Sequence, residues 1–341
     1  MINVGIVGLG FMAVTHLKAY REVEGIRIAA LCNPSGRHLD GDFSDVAGNL
    51  GDDDPIKLDM GRIKAFQDFD QMVADPEIQM IDICTPTAFH APFAIAALKA
   101  GKHVLCEKPM ARNSDEARTM IEAADASEAH LMPAMCLRFW PEWKLVKDAI
   151  EDGRFGKVEA ARFRRVGEPP AWGQKFFLDG AKSGGALLDL HIHDVDFVNH
   201  CFGRPISVYS SGFAKVSGAY DYVMSQYRFD SGVTVNAEGG WHMTSGFGFN
   251  MAYTVNFERA TLDYDMSRGD EALKLFEEGR EPQTLKLEGK DGFVGEIEHL
   301  LAAMELGEPP TLVSPRDGLT ALEICEAEER SIASGELVKL D

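Results

Sequence analysis

A lysine directly after a short apolar run is the first residue of this chain whose chemistry needs a reason: Glu107-Lys108-Pro109 follows His103-Val104-Leu105-Cys106. If the run is a strand of a parallel sheet, Lys108 stands at its carboxyl end, where open α/β folds hold their ligands. By itself the triplet is also a common solvated turn, since proline pushes the preceding residue out of helix and both charges readily face water. A second cluster lies in Gly184-Gly185-Ala186-Leu187-Leu188-Asp189-Leu190-His191-Ile192-His193-Asp194-Val195-Asp196. On a helix Asp189 and His193, four apart, share a face. The carboxylate can then orient the imidazole, raise its basicity and stabilise the imidazolium formed on proton uptake. The same spacing serves an amphipathic helix whose polar groups satisfy one another, and His191-x-His193 with Asp194 and Asp196 has ligand types suited to a metal. Residues two apart diverge by about 200° around a helix axis, so the two histidines serve one ion poorly and no metal is expected.

Residues 2–7 read as a buried strand running into Gly8-Leu9-Gly10-Phe11-Met12-Ala13, with a helix from 12 to about 21. This is G-x-G-x-x-[G/A] in its required setting, strand before and helix after, and it points to dinucleotide binding. Gly8 permits the tight turn, Gly10 lets the backbone approach a pyrophosphate, and Ala13 lets the helix pack closely on the strand. The helix start offers N–H groups to phosphate. A second strand over 26–32 completes the βαβ unit. At its end, where an acid usually holds the ribose 2′-hydroxyl of NAD, stands Asn33, followed by Ser35 and Arg37. These residues tilt the expectation toward NADP and leave NAD open. The acidic stretch 39–59 is expected to be an insertion or mobile loop near the adenosine end, and its acids do not match EF-hand spacing.

Further strands over 80–84, 103–106 and 130–136 alternate with helices, one of them opened by Asn113 and Glu116 at capping-box spacing. Such alternation predicts an α/β Rossmann dinucleotide-binding domain over residues 1–136. After residue 156 strand-like segments follow one another at 157–166, 206–215, 220–230, 232–241, 249–257 and 260–265, with a helix near 184–202. That rhythm predicts an α+β domain with a large open, mainly antiparallel sheet over residues 137–341, closed by a structural helix near 314–331. An open sheet face is commonly covered by another subunit, so a homodimer or homotetramer through this sheet is expected.

The 341 residues suit two domains, and 45% apolar with 26% charged residues is a globular composition. A formal net charge of −20 disfavours nucleic acid and anionic membranes as partners. Six scattered cysteines, no C-x-x-C pair, no leader-like opening and no run of about 18 apolar residues lead to the expectation of a reduced, cytoplasmic chain.

Taken together, Gly8-Leu9-Gly10-Phe11-Met12-Ala13, Thr85-Pro86-Thr87-x-x-His90, Glu107-Lys108-Pro109, Arg138-x-x-Pro141 and the run ending at His193 closely resemble the glucose–fructose oxidoreductase / inositol dehydrogenase / rhizopine-catabolism (Gfo/Idh/MocA) oxidoreductases over nearly the whole length. The resemblance implies that substrate and nicotinamide meet at the domain junction. It implies a cofactor site of Gly8, Gly10, Phe11, Met12, Asn33, Ser35 and Arg37, joined by Thr85, Pro86, His90, Glu107 and Lys108. Lys108 would touch the reacting oxygen, His193 would act as acid/base, and Asp189 would support it. Arg138 and His191 join these three as substrate contacts. Trp172 is a further one, because sugar faces stack on aromatic rings, although a loop tryptophan packed on the core fits its position equally. Two departures stand out: Thr87 replaces a common asparagine, and His191 replaces the glycine common two residues before the motif histidine. The implied activity is hydride transfer between NAD or NADP and a secondary alcohol or ketone of a sugar, amino sugar or cyclitol. The alternatives are a glycosidase or lyase that oxidises transiently with a retained NAD, and a non-catalytic redox sensor.

Overall fold

The computed structural model describes residues 1–46, 55–171 and 173–340. Trp172 and the middle of the acidic stretch, residues 47–54, lie outside the described residues. The chain forms two compact units, Met1–Cys136 with Asp291–Leu319, and Leu137–Lys290 with the residues from Thr320 onward.

The first unit is built on six parallel strands: β1 (Ile2–Val7), β2 (Ile26–Cys32), β3 (Lys64–Phe66), β4 (Met80–Ile83), β5 (His103–Cys106) and β6 (Leu131–Pro133). Their order is β3-β2-β1-β4-β5-β6, that of a doubly wound nucleotide-binding sheet. Val4, Ile6, Met80, Ile81, Val104 and Leu105 are fully buried, as strands covered on both faces require. The strand order reverses between β1 and β4, so the ends of these two strands and of neighbouring β5 flank the crevice where such sheets bind ligands. Helix α1 (Phe11–Tyr20) follows β1, and the helix Ser114–Asp125 is capped by Asn113, whose Oδ1 accepts the Glu116 N–H at 2.9 Å. The helix Gly292–Leu306, which follows all but the last strand of the second sheet, packs on α1 in the first unit, a return of which the strand–helix rhythm gave no sign.

The second unit carries nine strands in the order β14-β13-β12-β11-β7-β10-β9-β8-β15. These are β7 (Val158–Gly167), β8 (Ser207–Phe213), β9 (Tyr222–Arg228), β10 (Thr234–Gly240), β11 (Phe249–Phe257), β12 (Ala260–Asp265), β13 (Leu273–Glu277), β14 (Gln283–Thr284) and β15 (Val338–Lys339). Every pair is antiparallel except β7 with β10, so the sheet is mainly antiparallel, as the sequence predicts. On β9 Val223, Ser225 and Tyr227 are buried while Met224, Gln226 and Arg228 are exposed, which is the period-2 signature of a sheet with one covered and one open face. The covered face meets the helix Ile192–Phe202 and the helix Pro315–Ser334. No described helix is long and apolar enough to cross a membrane.

Candidate active site

The glycine turn is fixed by close approach of backbone to backbone. Gly8 adopts φ +86°, and a β-carbon there would stand 2.7 Å from Cys84 C, Cys84 O and Thr85 Cα. Only glycine therefore lets the end of β1 lie against the end of β4. Gly10 caps α1 in extended conformation, with no side-chain cap and no acid in the first turn, and a β-carbon on it would meet nothing within 4 Å. The positive end of a helix thus opens onto free space at the strand ends, the arrangement that receives a pyrophosphate. Thr85 Oγ1, beside this turn, is a buried hydroxyl with no hydrogen-bond partner. Open space and an orphaned hydroxyl are what a bound dinucleotide would fill.

At the end of β2 the polar residues satisfy one another. Asn33 Oδ1 accepts from Ser35 N–H at 3.2 Å and Ser35 Oγ at 2.9 Å, and Asn33 Nδ2 donates to Arg37 O at 2.9 Å. The exposed Arg37 guanidinium reaches Asp45 at 3.3 Å.

The ends of β4 and β5 are tied by His90, which is 1% exposed. Its Nδ1 lies 2.8 Å from Pro109 O and its Nε2 lies 2.7 Å from Thr85 O. Burial holds this imidazole below its ordinary value, while the two carbonyls pull it up. With both ring nitrogens turned to backbone, His90 has no polar atom left for a dinucleotide, and the direct cofactor contact expected of it gives way to a link between two loops.

Glu107 is likewise turned inward. Its Oε2 accepts the Lys108 N–H at 3.0 Å, and its Oε1 lies 3.1 Å from His16 Nε2. His16, fully buried on α1, places Nδ1 2.9 Å from Asp82 Oδ2, which also accepts from Tyr20 Oη at 2.9 Å. Burial opposes a charge on His16, but Asp82 and Cys84 more than offset it and leave the imidazole well above its ordinary value. Glu296, from the returning helix, lies 3.7 Å from His16 Nε2 with no hydrogen bond to either oxygen. Burial pushes its carboxyl well above the usual range. The sequence reading passed over His16, Asp82 and Glu296; the available signal was an acid, Asp82, inside the apolar run of β4. Lys108, half-buried, follows this cluster at the end of β5, and its bond to Pro109 is cis.

In the second unit the expected helix over 184–202 begins as a π-turn, Leu187–His191, and continues as α-helix Ile192–Phe202. Asp189 and His193, four apart across this wider start, are both half-buried, while His191 between them and Asp194 just after them are buried. His191 was expected to contact substrate. Instead its Nε2 lies 3.1 Å from Glu328 Oε1, which also accepts from Tyr227 Oη at 2.6 Å. Burial lowers the His191 pKa and the Glu328 charge more than restores it, so the imidazole sits above its ordinary value. The departure from glycine at 191 is matched across the core by Gly239, where a β-carbon would stand 2.6 Å from His191 Cβ.

Arg138 was also expected at the substrate. It is buried and bidentate to Asp196, Nε to Oδ2 at 2.9 Å and Nη2 to Oδ1 at 2.6 Å. This ion pair anchors the start of the second unit to its central helix.

Residues 2–135 match the oxidoreductase family with an NAD-binding Rossmann fold, and residues 143–263 match the GFO/IDH/MocA C-terminal domain. The chain is 26% identical to the myo-inositol 2-dehydrogenase of Thermotoga maritima over 361 aligned positions, covering 100% of this chain and 99% of that one. It is 30% identical to the levoglucosan dehydrogenase of Pseudarthrobacter phenanthrenivorans over 309 positions, covering 81% and 76%. Among solved structures, a levoglucosan dehydrogenase in complex with NADH superposes with a TM-score of 0.85 at 22% identity over 100% of this chain and 99% of that chain, which speaks for the fold.

Proposed function

Because the chain belongs to the GFO/IDH/MocA family of oxidoreductases, we propose that it transfers a hydride between NAD and a secondary alcohol or ketone of a sugar, amino sugar or cyclitol. The observation that carries this reading is the glycine turn, in which Gly8 lies against Cys84 and Thr85 and open space faces Gly10 at the start of α1. Gly8, Gly10, Phe11, Met12, Thr85 and Pro86 would hold the dinucleotide. When bound, its nicotinamide supplies the hydride acceptor or donor. Lys108, as an ammonium, stabilises the negative charge that develops on the substrate oxygen. His193 takes the hydroxyl proton, and Asp189, one turn away, steadies the resulting imidazolium. In the reductive direction the same groups return the proton.

NAD is favoured over NADP because Asp45 sets a negative charge beside Arg37, where NADP would bring a phosphate. The names of the relatives, inositol and levoglucosan dehydrogenases, support a polyhydroxylated substrate. Exposed Tyr209, Phe213 and Met224 on the open face of β8 and β9 support assembly with a second copy.

The test is a screen of cyclitols, sugars and anhydro sugars with NAD and with NADP, followed by absorbance of the reduced cofactor. Turnover of a polyol that falls about 100-fold or more in Lys108→Ala supports the reading. Near-normal kcat in Lys108→Ala, or an unchanged pH–rate profile in His193→Ala, removes the role given to that residue.

A further inference from the structure

We propose that His90 and Glu107 are positioning residues for Lys108, gripping the backbone on either side of it. The proposal rests on the reading of Lys108 as the group that meets the reacting oxygen. Glu107 Oε2 accepts the Lys108 N–H at 3.0 Å, and His90 Nδ1 lies 2.8 Å from the carbonyl oxygen of Pro109. Each grip has its own anchor. Glu107 is held through Oε1 by His16, which Asp82 holds in turn, so the hold on Lys108 runs back to α1 and β4. His90 is held by Thr85 O at 2.7 Å, at the end of β4 beside the glycine turn.

A lysine carries its charge on four rotatable bonds, so the position of its backbone sets the volume its ammonium can search. A misplacement of about 1 Å at a reacting group costs on the order of 100-fold in rate, and a loop end with no anchor permits that. Burying polar side chains is costly unless they are hydrogen-bonded, and an apolar residue would fill the space of His90 at lower cost. Glu107 and His90 are 4% and 1% exposed, yet Glu107 Oε2 and both ring nitrogens of His90 are directed at backbone groups of the two loops. That expenditure of polar groups gives the segment one geometry.

The experiment uses the full chain with NAD and, separately, myo-inositol and levoglucosan. Glu107→Gln and His90→Leu are each expected to lower kcat by about 10- to 100-fold with KM and the NADH dissociation constant within about twofold. His90→Gln, whose side-chain amide can still donate to a backbone carbonyl, is expected to recover part of the loss. Combined with Lys108→Ala, neither substitution is expected to slow the enzyme further, because both act through the same side chain. A substrate-independent readout is NMR of lysine labelled at Cε, with the Lys108 signal assigned by its loss in Lys108→Arg. The expected result is a Lys108 signal displaced in Glu107→Gln and His90→Leu and restored toward the parent in His90→Gln. Losses that multiply with that of Lys108→Ala, or a Lys108 signal identical in all variants, overturn the proposal. If His90→Leu does not fold, Glu107→Gln and His90→Gln carry the same comparison. Full turnover in Lys108→Ala would instead remove the catalytic reading of Lys108, while the NMR comparison still decides whether the two residues hold it.

Discussion

His191 and Glu328 meet at 3.1 Å with neither side chain exposed, so a residue of the π-turn is fastened to the helix Pro315–Ser334 near the chain's end. The contact ties the turn that carries Asp189 to a rigid element of the same unit. It also makes the unit sensitive to pH.

Glu328→Gln is expected to lower stability by about 3 kcal/mol at pH 6, the cost of leaving a buried charge without its partner. The His191 pKa in the folded chain is raised, so its contribution is fully present below the unfolded value near 6.5 and is lost as pH rises through the folded value. The destabilisation should therefore shrink between pH 6 and pH 9. Urea unfolding midpoints of both proteins at the two pH values check the sign, and a gap that widens with pH would contradict it.

Arg138→Ala should cost about 3–5 kcal/mol, because Asp196 would remain buried and uncompensated. Arg138→Lys should recover only part, since an ammonium cannot make the two-pronged contact. Replacing both partners, as Arg138→Met with Asp196→Leu, should be milder than Arg138→Ala alone. Denaturant midpoints order the three variants.

The nucleotide-binding elements were legible in the sequence, and the limits are physical. The first and second strands and the glycine pattern are local signals, and β1, α1 and β2 lie within a residue of where periodicity puts them. Long-range satisfaction is not local. Nothing near residue 90 says that its two ring nitrogens face Thr85 O and Pro109 O, and nothing near residue 138 names Asp196. Both residues are polar and follow strands, so the sequence offers them to a ligand, while the structure gives them to the protein. The π-turn is equally silent, because one wide turn leaves the apolar spacing of a helix nearly intact.

Gly8→Ala should weaken NADH binding by tenfold or more, on the order of the 1–3 kcal/mol that forced overpacking costs. Its β-carbon would meet three backbone atoms at 2.7 Å, none of which can rotate away. Titration of NADH fluorescence measures the loss. Gly10→Ala offers the contrast, since its β-carbon meets only open space in the free protein, and any weakening there reports the bound dinucleotide itself.

Asp45→Asn should raise affinity for NADP relative to NAD by a factor of about 2–5, the scale of an exposed ion pair. The ratio of the two dissociation constants is the measurement. An unchanged ratio would show that Arg37 does not lie near the 2′ position.

Synthesis of the chain gives the helix Gly292–Leu306 another meaning. A ribosome releases all six strands of the parallel sheet, then β7 to β14 of the second sheet, before the residues that cover α1 exist. Throughout that interval His16 lacks Glu296 and Phe293, whose ring ends 6.1 Å from its own. The first unit to be started therefore waits for most of the second before it is completed, and a nascent chain halted at residue 136 would hold its nucleotide-binding sheet with one helix still bare.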